Sequence, residues 1–115
     1  MKLIVAGSRE FNNYDLLKKS IQENFQRYEV EEIVSGTARG ADTLGEQFAI
    51  EYSIPIKKFP ANWDLYGKSA GYRRNVEMAD YADALIAFWD GKSKGTGHMI
   101  NIAKDKNLRV IVVNF

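Results

Sequence analysis

Apolar residues fall in short runs separated by amphipathic stretches. The runs are KLIVAG (Lys2–Gly7), EEIVSG (Glu31–Gly36), IPIKKF (Ile54–Phe59), DALIAFW (Asp83–Trp89) and RVIVVNF (Arg109–Phe115). Several are nearly continuous in Val, Ile, Leu and Ala, the pattern of parallel strands covered on both faces. Between them apolar residues recur at helical spacing. Leu17, Ile21 and Phe25 mark one helix, with Asn12, Asn13 or Asp15 ahead of it as a cap. Leu44, Phe48 and Tyr52 mark a second, Val76 and Ala79 a third, and Met99, Ile100 and Ala103 a fourth. Alternation of this kind predicts an α/β fold, a three-layer α/β/α sandwich around a five-stranded parallel sheet. Right-handed crossovers leave few topologies, and the expected strand order is 3-2-1-4-5. One domain is expected over residues 1–115, with a long loop from Pro60 to Lys68.

An open sheet of this type binds ligands beyond the carboxyl ends of its strands, where strand order reverses. The residues that follow the strands are therefore the ones to read. GSREF follows the first, SGTARGAD the second and WDGKSKGTGH the fourth, and these are the richest clusters of Gly, hydroxyl and Arg/Lys in the chain. Gly7, Ser8 and Arg9 come from the first. Ser35, Gly36, Thr37, Arg39, Gly40 and Asp42 come from the second. Asp90, Gly91, Lys92, Ser93, Gly95 and Thr96 come from the last. Glycine lets backbone approach a ligand closely, and a helix starting after the loop offers unpaired N–H groups that suit a phosphate. Thr96 stands where it caps the fourth helix or turns its hydroxyl to an anion. Asp90 suits ribose hydroxyls, magnesium or proton transfer.

Charge changes this picture only locally. Sixteen Lys and Arg against fifteen Asp and Glu leave a net charge of +1, so nothing draws the whole molecule to nucleic acid or an anionic membrane. The strand-end loops are nonetheless expected to gather a local excess of cations. The absence of cysteine excludes disulfides and thiolate chemistry, and a single histidine gives no basis for a zinc site. The short apolar start is not a signal peptide and no run approaches membrane-span length, so a cytoplasmic location is the expectation.

Familiar phosphate-loop patterns fail. Gly91-Lys92-Ser93 lacks the preceding glycine of GxxxxGK[ST], and GTGHMI breaks GxGxxG at its last position. The segment FPANWDLYGKSAGYRRN interleaves Trp63, Tyr66 and Tyr72 with Lys68, Arg73 and Arg74. Aromatic faces beside cations suit stacking on a base while pairing with phosphate.

Taken together, VAGSREF, VSGTARGAD, PANWDLYGKSAGYRRN and ADALIAFWDGKSKGTGHMI resemble the YspA-like, often phage-borne, branch of the SLOG superfamily, in order and through nearly the whole chain. That superfamily includes the LOG nucleotide phosphoribohydrolases and the DNA-processing protein DprA. The resemblance implies a Rossmann-like fold that binds a nucleotide-derived ligand: a nucleoside phosphate, ADP-ribose or an NAD-related molecule. The role implied is that of sensor, carrier or sequestering protein, including in phage–host conflict, and in the host cytoplasm if the gene is phage-borne. Homodimers or larger homo-oligomers are common among such proteins. No cofactor is implied beyond magnesium brought by a nucleotide.

Position by position, the LOG arginine matches Arg74, while Asn75 replaces the lysine after it. The PGGxGTxxE loop corresponds to Asp90 through Met99: Gly95 and Thr96 match its GT, and its glutamate falls on Met99. The resemblance thus keeps phosphate-binding features without the hydrolase carboxylate. If there is catalysis, Arg74, Asp90 and His98 are its candidate residues, with cleavage of an N-glycosidic or phosphate bond as the reaction. Single-stranded nucleic acid, suggested by the DprA-like SGTARGAD, is the less favoured alternative partner.

Plainer roles stand beside these. The glycines also serve strand-to-helix turns, Asp42 a helix cap, and Arg9 and Arg39 pairing with Glu10 and Asp42. His98, in the first turn of a helix, reads as well as a neutral polar residue beside the pocket.

Overall fold

In the computed structural model, which describes residues 1–115, β1 (Lys2–Gly7) lies at the centre of the sheet. It pairs in parallel with β2 (Glu32–Ser35) on one side and β4 (Ala84–Trp89) on the other. β3 (Ile56–Lys58) and β5 (Arg109–Asn114) form the edges, giving five strands in the order β3-β2-β1-β4-β5. The expected topology is therefore present, with β2 and β3 shorter than the apolar runs that marked them.

Alternation along β1 decides the two cores. Leu3 and Val5 point to one face, with Ile33, Ile86 and Phe88, beneath α1 (Tyr14–Asn24) and α2 (Ala41–Glu51). Ile4 and Ala6 point to the other, with Val34 and Leu85, beneath α4 (Ala70–Tyr81) and α5 (Lys94–Asp105). Leu3, Ile4, Val5, Leu85, Ile86 and Phe88 are fully buried, each worth about 1.5–3 kcal/mol of transfer free energy for the larger side chains. Asn13 caps α1, its side-chain oxygen accepting from Leu16 N at 3.0 Å. Phe25 and Tyr52, the last members of their apolar repeats, sit just past the ends of α1 and α2 rather than within them.

The segment expected as a loop from Pro60 to Lys68 holds a short helix, α3 (Trp63–Tyr66), and a 3₁₀ turn over Gly67–Ser69. Asn62 starts α3 by accepting from Leu65 N at 3.0 Å, the local capping that an apolar-periodicity reading does not register. The chain then runs directly into α4, which begins six residues before Val76. Arg73, Arg74 and Asn75 are thus helical residues in fixed positions, not loop residues.

Candidate functional site

Strand order reverses between β1 and β4, and at that point the backbones are tightly apposed. Gly7 stands opposite Phe88 in the register, and Ser8 N donates to Phe88 O at 2.9 Å. A Cβ on Gly7 would lie 2.3 Å from that same carbonyl oxygen. Gly40, at φ 79° and at the start of α2, has equally little room: a Cβ there would lie 2.4 Å from Ser8 O. These two glycines bring the first turn of α2 against the end of β1.

Above this junction opens a cavity of about 460 Å³, within the range that holds a drug-sized ligand. Its floor is Ala6, Gly7 and Ser8 from the end of β1. One wall is α4, through Gly71, Tyr72, Arg74, Asn75 and Met78. Asp42 from α2 lines it too, with Asp90, Ser93, Gly95, Thr96 and Met99 from the β4–α5 connection and α5. Arg9, Glu10, Trp63 and Lys68 complete its mouth.

The β4–α5 loop is held from within. Asp90 Oδ1 accepts from Lys92 N at 2.8 Å and Ser93 N at 2.9 Å, and these bonds hold its carboxyl below the usual carboxylate range. Trp89 Nε1 donates to Ser93 O at 3.0 Å. Ser93 occupies the N-cap position of α5 without capping it: its hydroxyl meets Thr96 Oγ1 at 3.1 Å instead. Thr96 does not cap the helix either, since it lies in the first turn. The N-terminus of α5 therefore keeps its backbone donors open towards the cavity, where Gly95 and Thr96 form the lining. Ser8, buried on the floor, adds a hydroxyl with no hydrogen-bond partner, although it lies close enough to Asp90 to favour the ionised carboxylate.

Arg74 is positioned by a relay. Its Nη1 donates to Gly36 O and its Nε donates to Asn75 Oδ1 at 3.0 Å. Because an arginine only donates, Asn75 must present its oxygen to Arg74 and its amide nitrogen to the other side. That nitrogen donates to Gly95 O at 3.2 Å and meets His98 Nδ1, also at 3.2 Å. His98 Nδ1 is consequently an acceptor and the ring is neutral, with its proton on Nε2. Burial depresses its pKa in the same sense, and the Tyr72 ring covers it edge-on at 4.6 Å.

Arg74 and Asp42 meet over Gly36. A Cβ on Gly36 would lie 2.8 Å from Arg74 Nη1 and 2.8 Å from Asp42 Oδ2, so only glycine leaves both where they are. Asp42 is not a cap; Gly40 holds that position, and Asp42 Oδ2 accepts from Ala38 N at 3.2 Å. Burial pushes its pKa from 3.8 up to about 6, outweighing the Ala38 bond and the attraction of Arg74, while Glu46 pushes the same way. Burial also lowers the pKa of Arg74, against the pull of Asp42.

The structure separates some of the residues expected to act together. Ser35, Gly36, Thr37, Arg39, Gly40, Gly91, Lys92 and His98 do not line the cavity. Ser35 is buried and its hydroxyl donates to Glu46 Oε2 at 2.6 Å. Arg39 turns outwards and pairs with Glu10 at 2.7 Å. The expected cation excess is not found at the cavity lining: Arg9, Lys68 and Arg74 face Glu10, Asp42 and Asp90, so the formal balance is zero. Lys92 and Lys94, the cations of the loop after the fourth strand, fall outside the lining. Lining residues outside the expected site include Ala38, Gly71, Met78 and, at the mouth, Glu10 and Lys68. Lys68 carried a signal, as a cation within the aromatic segment; the apolar residues carried none. No three His, Cys, Asp or Glu residues converge as metal ligands, and no helix is long and apolar enough to cross a membrane.

Comparison with known proteins agrees with the geometry. The model of YAcAr, described as the YspA, cpYpsA-related SLOG family, matches residues 1–66. Gene 61 protein of Mycobacterium phage D29 is 30% identical over 118 residues, an alignment covering 96% of this chain and 94% of that protein.

Proposed function

Because the chain belongs to the YspA, cpYpsA-related SLOG family, we propose that its β1–β4 cavity binds a nucleotide-derived small molecule and holds it without cleaving it. The ligand is a nucleoside phosphate, ADP-ribose or an NAD-related molecule, and the role is sensing, carrying or sequestering it, in a phage–host setting suggested by the phage relative. One observation carries the reading. The uncapped start of α5 and the relay-held Arg74 both line a single cavity at the switch point, over the buried Ser8 hydroxyl. Donors fixed before the ligand arrives are what an anion needs in order to bind without a large ordering cost.

The groups available for chemistry support binding over cleavage. Asp90 faces the cavity with one oxygen already engaged by two backbone N–H groups. His98 sits behind Asn75, outside the lining, with its accepting nitrogen occupied. Where the LOG resemblance maps a glutamate, the cavity wall is the thioether of Met99. Trp63 and Tyr72, both near half exposed at the mouth, offer faces for a base. Any magnesium belongs to the nucleotide in this reading.

Titration calorimetry with AMP, ADP-ribose, NAD and cyclic ADP-ribose tests the proposal. At least one should bind at micromolar affinity or tighter, weaken at least tenfold in Arg74→Ala, and be recovered intact by chromatography. No binding by any of the four would overturn the proposal. Release of free base or phosphate would overturn the part that excludes cleavage.

A further inference from the structure

Beside the cavity runs a second groove, of about 440 Å³, formed by Gly36, Thr37 and Ala38 after β2 and by Pro60 and Ala61 before α3. Three arginines line it, Arg9, Arg39 and Arg74, and no carboxylate does. The contrast with the balanced cavity next door is sharp, because the two compartments share a wall. Arg9, Ala38, Trp63 and Arg74 border both. Each compartment alone has the volume of a ligand-sized site. Trp63, half exposed between them, presents a ring to either side.

From this we infer that the ligand is two-headed: a dinucleotide, with one nucleoside in the cavity, its linking phosphate at the shared Arg9–Arg74 wall, and the second unit in the arginine groove. The inference rests on the proposed nucleotide site and specifies the ligand class for it. A mononucleotide fills one compartment and leaves Arg39, the one groove arginine outside the shared wall, to Glu10; a dinucleotide engages both compartments. Arg74 suits the junction, since its Nε and Nη1 are spoken for and fix the plane of the guanidinium. A fixed fork is the geometry that recognises phosphate oxygens. Thr37, held at φ 64°, turns the β2–α2 connection along the groove.

Arg39 is the gate of the groove. It is bound to Glu10 at 2.7 Å, and both side chains are more than two-thirds exposed. A pair so exposed is weak and exchanges readily for a better partner. An incoming phosphate competes with the Glu10 carboxylate for the same guanidinium. Removing the carboxylate should therefore strengthen binding of the two-headed ligand, an outcome that a merely structural ion pair would not give.

The experiment compares AMP with two dinucleotides by calorimetry: a 5′–5′ pyrophosphate-linked diadenosine and a 3′–5′ phosphodiester-linked diadenylate carrying a 5′-phosphate. At least one dinucleotide should bind roughly tenfold or more tightly than AMP, the factor that one charge-assisted contact supplies. Arg39→Ala should remove that advantage, read as the ratio of dinucleotide to AMP affinity within the variant, since Arg39 lines the groove and its partner Glu10 lines the cavity. Glu10→Gln should enlarge it. Dinucleotides that bind no better than AMP, or an advantage that survives Arg39→Ala, would overturn the inference while leaving AMP binding, and with it the proposed function, intact. Failure of AMP and both dinucleotides alike would overturn the underlying site. Which linkage wins identifies the chemical source of the ligand.

Discussion

Asp42 offers the most direct measurement of the site's electrostatics. The residue is 5% exposed and its pKa rises from 3.8 to about 6. Between those values the folded protein holds a proton that the unfolded chain releases. The stability it confers is fully present below pH 3.8 and is lost as the pH rises through about 6. At about 1.4 kcal/mol per pH unit, a rise of this size corresponds to about 3 kcal/mol. The Asp42→Asn variant keeps an oxygen for Ala38 N and cannot ionise. Its stability relative to the native protein should therefore improve by about 3 kcal/mol between pH 3.5 and pH 8, read from urea midpoints across that range. A difference that does not vary with pH would refute the reasoning. A difference of opposite sign would show that Arg74 attracts the carboxylate more strongly than burial disfavours it.

The same proton should couple to the proposed ligand. An anion entering the cavity opposes ionisation of Asp42, so binding takes up a proton and weakens as the pH rises above about 6. The slope approaches tenfold per pH unit at its steepest. A diphosphate such as ADP-ribose is the proper probe, because phosphate monoesters titrate in that range themselves. In Asp42→Asn the pH dependence should flatten.

Three further outcomes follow from individual contacts. Gly36→Ala places a Cβ 2.8 Å from both Arg74 Nη1 and Asp42 Oδ2, so ligand affinity should fall at least about tenfold while stability falls by about 1–2 kcal/mol, since side chains can yield; calorimetry and chemical denaturation read the two separately. In Asn75→Leu the relay is cut, and nitrogen NMR of His98 should show loss of its fixed Nε2–H tautomer together with weaker ligand binding, whereas an unchanged tautomer would contradict the Asn75–His98 assignment. Phe88→Ala removes a fully buried ring stacked on Phe11 at 4.8 Å and should cost about 3–5 kcal/mol by thermal or urea unfolding.

The fold was legible because burial on both faces leaves a continuous apolar mark, as in ALIAFW of β4, and because crossover handedness then restricts the order of the strands. The start of α4 was not. Its first turns, AGYRRN, have no apolar repeat and contain Gly71. They are helical because Ala70 is buried, Arg73 lies over the Tyr66 ring at 4.3 Å and Ser69 accepts from Arg73 Nε at 3.2 Å. Tyr66 belongs to α3 and Ser69 to the 3₁₀ turn after it, both hidden in what reads as a loop. At the site, chain position placed Gly7, Ser8, Arg9, Asp90, Gly95 and Thr96 on one edge of the sheet, and the structure gathers those six around the cavity. It could not separate Arg9 from Arg39. Both follow neighbouring strands, but Arg39 turns towards Glu10, a partner that the sequence only offered as one of two.

Three cations and three carboxylates in the cavity lining are an unusual set for the proposed anion site, and the balance itself is informative. Bare phosphate gains from Arg74 and the open N–H groups of α5, but it also meets Asp90 and Glu10, which repel it. A nucleoside phosphate meets the same carboxylates with ribose hydroxyls, which donate to them. Repulsion becomes a hydrogen bond to a charged group, worth about 1.5–3 kcal/mol for each one formed. The site should therefore prefer a nucleoside phosphate over inorganic phosphate by at least about a hundredfold, most of it from the sugar. Competition calorimetry with inorganic phosphate, ribose 5-phosphate and AMP separates the contributions. Most of the gain should arrive on passing from phosphate to ribose 5-phosphate, and Asp90→Asn, which keeps an oxygen for the Lys92 and Ser93 N–H groups, should reduce it while leaving the affinity for phosphate equal or higher. Inorganic phosphate that displaces AMP at comparable concentrations would mean that the carboxylates do not face the sugar.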